Sequence, residues 1–209
     1  MTISNDVRPS YEARYPTLEL VAQGLENHLR DMLSELPRID AINSRAKSID
    51  RFVLKSKKIN DDGSLKYKNP LFQIQDQIGA RINVFYLSDV DVVKNHVSKY
   101  MKYIEIQDKF PESDSEFGYF GLHFIFKIPE DAIPDSVEVD SVPEFFELQI
   151  KTLFQHAWSE AHHDLGYKSV RPLTSDEKRR VAFTAAQAWG ADKIFEELAK
   201  DLCSNDNSP

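Results

Sequence analysis

Residues 145–151 read Phe-Phe-Glu-Leu-Gln-Ile-Lys, and a segment rich in functional groups, residues 152–168, follows at once. Side chains on a strand point to alternate faces, so Glu147, Gln149 and Lys151 share one face. The opposite face carries Phe146, Leu148 and Ile150. An acid, an amide and a cation in one row are costly to bury and are not needed for packing. This stretch therefore predicts a strand with one apolar face on the core and one polar face that holds something charged.

The segment after this strand predicts a helix from about Thr152 to Asp164. It contains His156, Trp158, Glu160 and the run His162-His163-Asp164. Trp158 is interpreted as a core residue, whereas for His156 a ligand contact and a structural role both stay open. Adjacent histidines on a helix diverge by roughly 100°, so residues 162–164 favour hydrogen bonding over zinc binding.

Composition narrows the class of protein. The chain has 209 residues, a formal net charge of −8 and a single cysteine, Cys203. This length fits one domain, or one domain with helical extensions. One cysteine excludes an intrachain disulfide, no run approaches the roughly 18 apolar residues of a membrane span, and the N-terminus has no secretory pattern. We therefore expect a soluble cytoplasmic protein without a membrane partner, and the acidic balance argues against broad binding to nucleic acid.

One basic segment runs against the acidic balance. Between residues 45 and 68 the cationic residues are Arg45, Lys47, Arg51, Lys55, Lys57, Lys58, Lys66 and Lys68. Lys55 and Lys58 are three residues apart and hence neighbours on a predicted helical face. Arginine makes forked contacts with phosphate oxygens and lysine acts as a compact charge. The segment is interpreted either as a polyphosphate site or as a solvated helix face, and both interpretations stay open at this point.

Hydrophobic periodicity predicts interspersed helices and strands. The predicted helices are 10–36, 49–58, 90–103, 152–164 and 175–202. The predicted strands are 38–44, 79–86, a strand from 104, 119–128 and 145–151, with polar connections at 108–117 and 129–143. This order favours an α/β or α+β fold with a mixed sheet and helices on its faces.

Two further motifs carry chemistry. Asp76-Gln-Ile-Gly79-Ala-Arg81 stands at the start of a predicted strand, where one carboxylate can ligate Mg²⁺. In residues 118–123, Gly-Tyr-Phe-Gly-Leu-His, Tyr119 can stack a base and shares a strand face with His123. Taken alone, the Asp76 motif is explained by an ordinary turn, and residues 118–123 are explained by a half-buried strand. Together, Asp76 and Glu147 provide the two acids that metal-assisted phosphoryl or nucleotidyl transfer usually needs.

In order and spacing, these motifs resemble the synthetase domain of the RelA/SpoT family, the (p)ppGpp synthetases, and specifically its small single-domain alarmone synthetases. The matching pieces are Arg45-x-Lys47 with Lys55 and Lys58, Asp76-x-x-Gly79-x-Arg81, Gly118-Tyr119-x-x-x-His123, Glu147-Leu-Gln149-Ile-Lys151-Thr152, His156-Ala-Trp158-Ser-Glu160 and His163-Asp164-Leu-Gly-Tyr167-Lys168. The resemblance implies a synthetase domain at 38–170, preceded by an N-terminal helical extension, 1–37, and followed by a C-terminal helix and polar tail, 171–209.

The resemblance also implies a fold, an activity and roles for individual residues. The fold would be nucleotidyltransferase-like, with a mixed sheet of about five strands flanked by helices. The activity would be that of a GTP pyrophosphokinase, in which the β,γ-pyrophosphate of ATP moves to the ribose 3′-hydroxyl of GTP or GDP with Mg²⁺ as cofactor. Arg45 and Arg81 would hold the adenine, and Lys47, Lys55 and Lys58 the ATP phosphates.

Asp76 and Glu147 would bind the metal, with Glu147 also the general base. The residues expected on the acceptor side are Tyr119, which would stack on the guanine, and His123, Gln149, Lys151 and His156.

This chain departs from the family pattern in three places. Phe120-Gly121 replaces a common polar pair, residues 114–117 are acidic where many members have a lysine, and Lys151 stands where many have arginine. The first two fall on the acceptor side, so ATP as donor is better supported than GTP as acceptor. Toxic relatives use adenine nucleotides or the 3′ end of tRNA as acceptors, and such a toxin would have an antitoxin partner. A non-catalytic nucleotide-binding module is a further alternative, and members of the family often form homo-oligomers.

Overall fold

The computed structural model describes residues 7–107, 117–119, 121–168 and 171–203. The helices are α1 (Arg8–Met32), α2 (Ile49–Ser56), α3 (Pro70–Gln73), α4 (Leu87–Tyr100), α5 (Leu153–Lys168) and α6 (Ser175–Cys203). The strands are β1 (Ile39–Ala46), β2 (Ile78–Val84), β3 (Tyr103–Gln107), β4 (Leu122–Lys127) and β5 (Phe145–Thr152). Short 3-10 turns lie at Gln75–Gln77, Glu130–Ala132 and Val139–Ser141.

The five strands form one mixed sheet in the order β1-β2-β5-β4-β3. Strands β2 and β5 are parallel, and the other neighbours are antiparallel. Glu147 on the central strand β5 pairs with Gly79 of β2 on one side and with Ile125 of β4 on the other. This confirms the predicted mixed sheet flanked by helices and puts the Glu147 strand at its centre.

One face of the sheet and helices α1 and α4 enclose the main core. Helix α1 contributes Leu18, Val21, Leu25 and Leu29, which recur at helical spacing and are fully buried. Strand β5 contributes Phe146, Leu148 and Ile150, which are also fully buried. The alternation along β5 therefore predicted the core-facing side correctly. Because α1 lies in the same core as the sheet, its packing is continuous with the segment after residue 38; the domain limits themselves stay a prediction.

Several predicted element boundaries were wrong by a few residues, and two of these errors concern predicted site residues. Helix α2 ends at Ser56 instead of Lys58, because the chain turns at Lys57 and Ile59 then pairs with Leu65. Lys58 therefore does not share a helical face with Lys55. Strand β4 begins at Leu122 instead of Tyr119. Residues 108–116, most of the predicted acidic loop, lie outside the described residues.

A second, smaller core joins α5 and α6 to the segment before β4. It consists of Tyr119, Trp158 and Ala185, with His162 stacked on Trp158 at 4.9 Å between ring centres. The prediction that Trp158 is a core residue is confirmed. Helix α6 buries Asp192 and Glu196 and exposes Phe183, Ile194 and Leu198. Within the described ranges, none of the helices combines the length and the hydrophobicity that crossing a lipid bilayer requires.

Candidate active site

The polar face of the sheet carries the predicted site residues in two rows across the strands. In one row Arg45, Gly79, Glu147 and Ile125 are neighbours, and in the next row Asn43, Arg81, Gln149 and His123 are neighbours. Residues in register on adjacent strands lie on the same face of a sheet. The fold thus brings Arg45 and Arg81 to the same surface as Glu147, although these residues are far apart in the sequence.

Gly79 leaves space at the centre of this surface. A Cβ atom at position 79 would have one neighbour within 4 Å, the backbone oxygen of Glu147 at 4.0 Å. The hydrogen side chain therefore opens a gap between Arg45 and Glu147 that a larger side chain would fill.

Asp76 is the centre of a cationic cluster just before β2. Its Oδ2 atom lies 2.9 Å from Nζ of Lys47 and 2.7 Å from Nζ of Lys55. The other carboxylate oxygen, Oδ1, is buried and has no hydrogen-bond partner among the described residues. One oxygen thus holds the two lysines together, and the second remains available to a ligand.

The structure does not bring Lys58 into this cluster. Lys58 follows the end of α2, and its backbone carbonyl accepts a hydrogen bond from the amide of Lys66 at 2.8 Å. Its side chain is exposed. A phosphate contact of Lys58 stays a prediction.

The two arginines of the predicted adenine site form a pair with unequal environments. Arg45 is exposed, whereas the guanidinium of Arg81 is held 2.9 Å from a carboxylate oxygen of Glu160 on α5. Burial lowers the pKa of Arg81, and the positive charge of the neighbouring Arg45 lowers it further. Arg45 and Arg81 lie in neighbouring rows of adjacent strands, so both guanidinium groups extend from the same face of the sheet.

Glu147 is held by two neighbours on the same face. Its Oε1 atom lies 3.0 Å from Nδ1 of His123, and its Oε2 atom accepts a hydrogen bond from Nε2 of Gln149 at 2.7 Å. An ionised carboxylate only accepts hydrogen bonds, so we infer that Nδ1 of His123 carries a proton. Nε2 of His123 is buried without a partner among the described residues. In the neutral ring this atom is an acceptor that a substrate hydroxyl can use.

Lys151 and His156 belong to the edge of the site next to α5. Lys151 is 5% exposed, and its ammonium donates a hydrogen bond to Oγ of Ser159 at 3.0 Å. Burial lowers the pKa of His156, and the positive charges of Arg81 and Lys151 lower it further. His156 therefore lies beside Arg81 as a neutral side chain. The fold brings both residues to the polar face but directs the charge of Lys151 into α5.

Tyr119, which was predicted to stack on the acceptor base, is buried. Its hydroxyl donates a hydrogen bond to Oδ2 of Asp192 on α6 at 2.5 Å, and the residue is 8% exposed. Stacking of Tyr119 on an acceptor base stays a prediction. Gly121 explains how this segment comes so close to the sheet: a Cβ there would lie 2.4 Å from the backbone oxygen of Ile150.

Sequence reasoning gave no role to three residues of the site region, Ser159, Glu160 and Asp192. An acid in a long helix usually belongs to a solvated face, so Asp192 gave no signal by itself. The spacing of Ala185, Asp192 and Glu196, which are seven and four residues apart, could have predicted that these three residues share one face of the helix. That face is the buried one.

Comparison with known proteins identifies the family. Residues 44–171, more than half of the chain, match the family model described as the region found in RelA / SpoT proteins. The chain therefore belongs to the RelA/SpoT family.

Among its relatives is the GTP pyrophosphokinase YjbM of Bacillus subtilis (strain 168), which is 25% identical over 138 residues. The match covers 64% of this chain and 63% of that relative, slightly less than two thirds of its length.

Solved structures show the same fold. The small alarmone synthetase 1 from Bacillus subtilis superposes with a TM-score of 0.75 at 19% identity, over 94% of this chain and 99% of that one. The structure of the same synthetase bound to its product pppGpp gives a TM-score of 0.72 at 19% identity, over 92% of this chain and 98% of that one.

Proposed function

We propose that this chain is a GTP pyrophosphokinase that transfers the β,γ-pyrophosphate of ATP to the ribose 3′-hydroxyl of GTP or GDP. The observation that carries the proposal is the register that sets Arg45, Gly79 and Glu147 side by side on the polar face of a RelA/SpoT-family sheet. A donor-binding arginine, an open gap and a candidate base thus occupy adjacent strands. The relatives named as a GTP pyrophosphokinase and as small alarmone synthetases support the same activity.

ATP would bind on the β1–β2 side of the sheet. The guanidinium groups of Arg45 and Arg81 would take the adenine between them. The ammonium groups of Lys47 and Lys55, now on Asp76, would turn to the triphosphate, which is a stronger anion than one carboxylate. Lys58 would join them at the outer end of the phosphates.

Glu147 would act as the general base. The 3′-oxygen of the acceptor attacks the β-phosphorus of ATP, and the bond from that phosphorus to the α,β-bridging oxygen breaks. AMP leaves with the electron pair of this bond, and the hydroxyl proton passes to the Glu147 carboxylate. Such a transfer depends on positioning and charge neutralisation more than on covalent catalysis. The bonds from His123 and Gln149 to Glu147 fix the carboxylate for this step.

Asp76 and Glu147 are the residues that would hold Mg²⁺. The buried Oδ1 atom of Asp76, unpartnered among the described residues, fits this role because Mg²⁺ prefers carboxylate and phosphate oxygens. No group of three or more His, Cys, Asp or Glu side chains in the described part of the chain could hold an ion. The substrate phosphates would therefore complete the coordination, and the bound ion would neutralise charge on the transferred group.

The acceptor would bind on the β4–β5 side. Nε2 of His123 would accept a hydrogen bond from a ribose hydroxyl, Gln149 and His156 would border the nucleotide, and Tyr119 would stack on its base. Lys151 would attract the acceptor phosphates from its buried position beside Ser159. A homo-oligomer, an antitoxin and a cytoplasmic location stay predictions.

A transfer assay tests the proposal. ATP labelled at the γ-phosphate is incubated with Mg²⁺ and with GTP, GDP, ATP or bulk tRNA as separate acceptors. We expect label on GTP or GDP, loss of the signal in Glu147→Gln, and no loss in the exposed control Glu197→Gln. Label that appears only on tRNA or on adenine nucleotides would contradict the proposed acceptor. The absence of transfer to any acceptor would contradict the proposal that the chain is a pyrophosphokinase.

A further inference from the structure

The hydroxyl of Tyr119 is tied to a buried acid outside the segment that matches the family. Oδ2 of Asp192 accepts hydrogen bonds from the hydroxyl of Tyr119 and from Oγ1 of Thr152, each at 2.5 Å. Thr152 is the last residue of β5, the strand that carries Glu147. Asp192 thus connects α6, the segment before β4 and the end of β5 through one oxygen atom. We call this position of Tyr119 the seat.

The seat depends on these two hydroxyl groups. Asp192 is 1% exposed, and its other oxygen, Oδ1, is buried without a partner among the described residues. Burial raises the pKa of Asp192. A buried carboxylate is expensive unless donors satisfy it, so each of the two bonds contributes more than a bond on the surface would. Removal of the Tyr119 hydroxyl alone should therefore weaken the seat substantially.

The seat and base stacking exclude one another. A base that stacks on a tyrosine covers one whole face of the ring, so that face must be open beforehand. The seated Tyr119 is only 8% exposed, because its ring packs with Trp158 and Ala185. The ring must leave the seat before it can meet an acceptor base.

We propose that Asp192 is a positioning residue that sets acceptor affinity by holding Tyr119 in a seat closed to the acceptor base. The inference rests on the proposed function, in which Tyr119 stacks on that base. The apparent dissociation constant of the acceptor equals the intrinsic one divided by the fraction of molecules with Tyr119 released. Weakening the seat therefore strengthens acceptor binding, which is the opposite of what loss of a supporting contact does.

The test is calorimetric binding of GTP to the full chain without ATP, so that no turnover occurs. Tyr119→Phe keeps the ring and removes the hydroxyl, and Asp192→Asn replaces the carboxylate by an amide of the same shape. We expect Tyr119→Phe to lower the dissociation constant for GTP by about tenfold, the equivalent of one hydrogen bond to a charged group. Asp192→Asn should lower it less, because the amide oxygen still accepts a weaker bond from the tyrosine hydroxyl. The double variant should gain no more than Tyr119→Phe alone, because without the hydroxyl there is no bond left for the amide to weaken. Asp201→Asn, an exposed change on the same helix, should leave binding unchanged.

Two further measurements distinguish a failure of the seat from a failure of the proposed function. The first is GTP binding by Tyr119→Ala, which lacks the ring and should bind GTP more weakly than the wild type. The second is the KM for ATP, which should not change in any of these variants. An equal or higher dissociation constant in Tyr119→Phe, in a protein whose circular dichroism shows that it is folded at the assay temperature, would overturn the seat. Weaker binding of GTP and ATP together in Asp192→Asn would also overturn it. Tighter GTP binding without any transfer activity would leave the seat standing and refute the proposed function.

Discussion

Nδ1 of His123 on β4 lies 3.0 Å from Oε1 of Glu147 on β5, across the centre of the polar face. His123 is 4% exposed, so its ring is enclosed by surrounding side chains, which restricts its movement relative to Glu147. A histidine in this position orients the carboxylate and leaves the other ring nitrogen to the substrate. The carboxylate that we propose as the general base is therefore held by its neighbours before any nucleotide binds.

Glu147→Gln tests the role of this carboxylate as a base. The amide keeps the shape and cannot accept the proton, so we expect kcat to fall by about 10²- to 10⁴-fold. The KM for ATP should change less than kcat, because Arg45, Lys47 and Lys55 still hold the nucleotide and Asp76 still binds its metal. Steady-state kinetics with both substrates give the two constants. A variant that retains activity within a few-fold of the wild type would exclude Glu147 as the base.

The paired lysines on Asp76 give a second prediction. Lys55→Met keeps the stem and removes a charge 2.7 Å from Oδ2 of Asp76. We expect the KM for ATP to rise by about tenfold, the usual effect of one lost charge-assisted contact. Lys57→Met, an exposed change two residues away, is the matched control. Equal effects of the two substitutions would mean that the basic segment acts only through its overall charge.

Two glycines in helices predict opposite effects on stability. A Cβ at Gly24 would lie 2.2 Å from the backbone oxygen of Ala132, whereas a Cβ at Gly190 would have no neighbour within 4 Å. Gly24→Ala should therefore lower the free energy of unfolding by about 1–3 kcal/mol through overpacking. Gly190→Ala should raise it by about 0.5–1 kcal/mol, because alanine favours a helix. Urea unfolding of both variants checks the pair, and stabilisation by Gly24→Ala would contradict the packing of α1.

His156 gives a pH dependence. Its pKa is lowered from 6.5 by burial and then by the charge of Arg81. A histidine with a lowered pKa in the folded state contributes stability above the unfolded value, and this contribution is lost as the pH falls through the folded value. The free energy of unfolding should therefore fall below about pH 6.5, and less so in His156→Gln, which has no charge to gain. An NMR titration that gives His156 a pKa above 6.5 would contradict its placement beside Arg81.

The core and much of the polar face could be predicted from the sequence because their residues follow a simple period. Alternation along 145–151 was sufficient to assign Glu147 and Ile150 to opposite faces. The spacing of Leu18, Leu25 and Leu29 was sufficient to predict a buried helical stripe. These signals are local, so they do not depend on knowing the rest of the fold.

What the sequence could not provide depends on contacts between distant segments. The end of α2 before Lys58 follows from a turn that brings Ile59 back to Leu65. The seat of Tyr119 depends on Asp192, which is 73 residues away. Lys151 looked available to an acceptor phosphate, yet its partner, Ser159, lies on the following helix. In each case the deciding neighbour becomes visible only once the chain is folded.

In the proposed reaction, two phosphoryl groups move together from ATP to a ribose 3′-hydroxyl. The most direct measurement is the nucleotide left behind by the donor, separated by anion-exchange chromatography after incubation with ATP, Mg²⁺ and GTP. We expect AMP in equal amount to an acceptor that has gained two phosphates on its 3′-oxygen, with both products strongly reduced in Glu147→Gln. Formation of ADP in place of AMP, or of AMP without a pyrophosphorylated acceptor, would refute the proposed transfer.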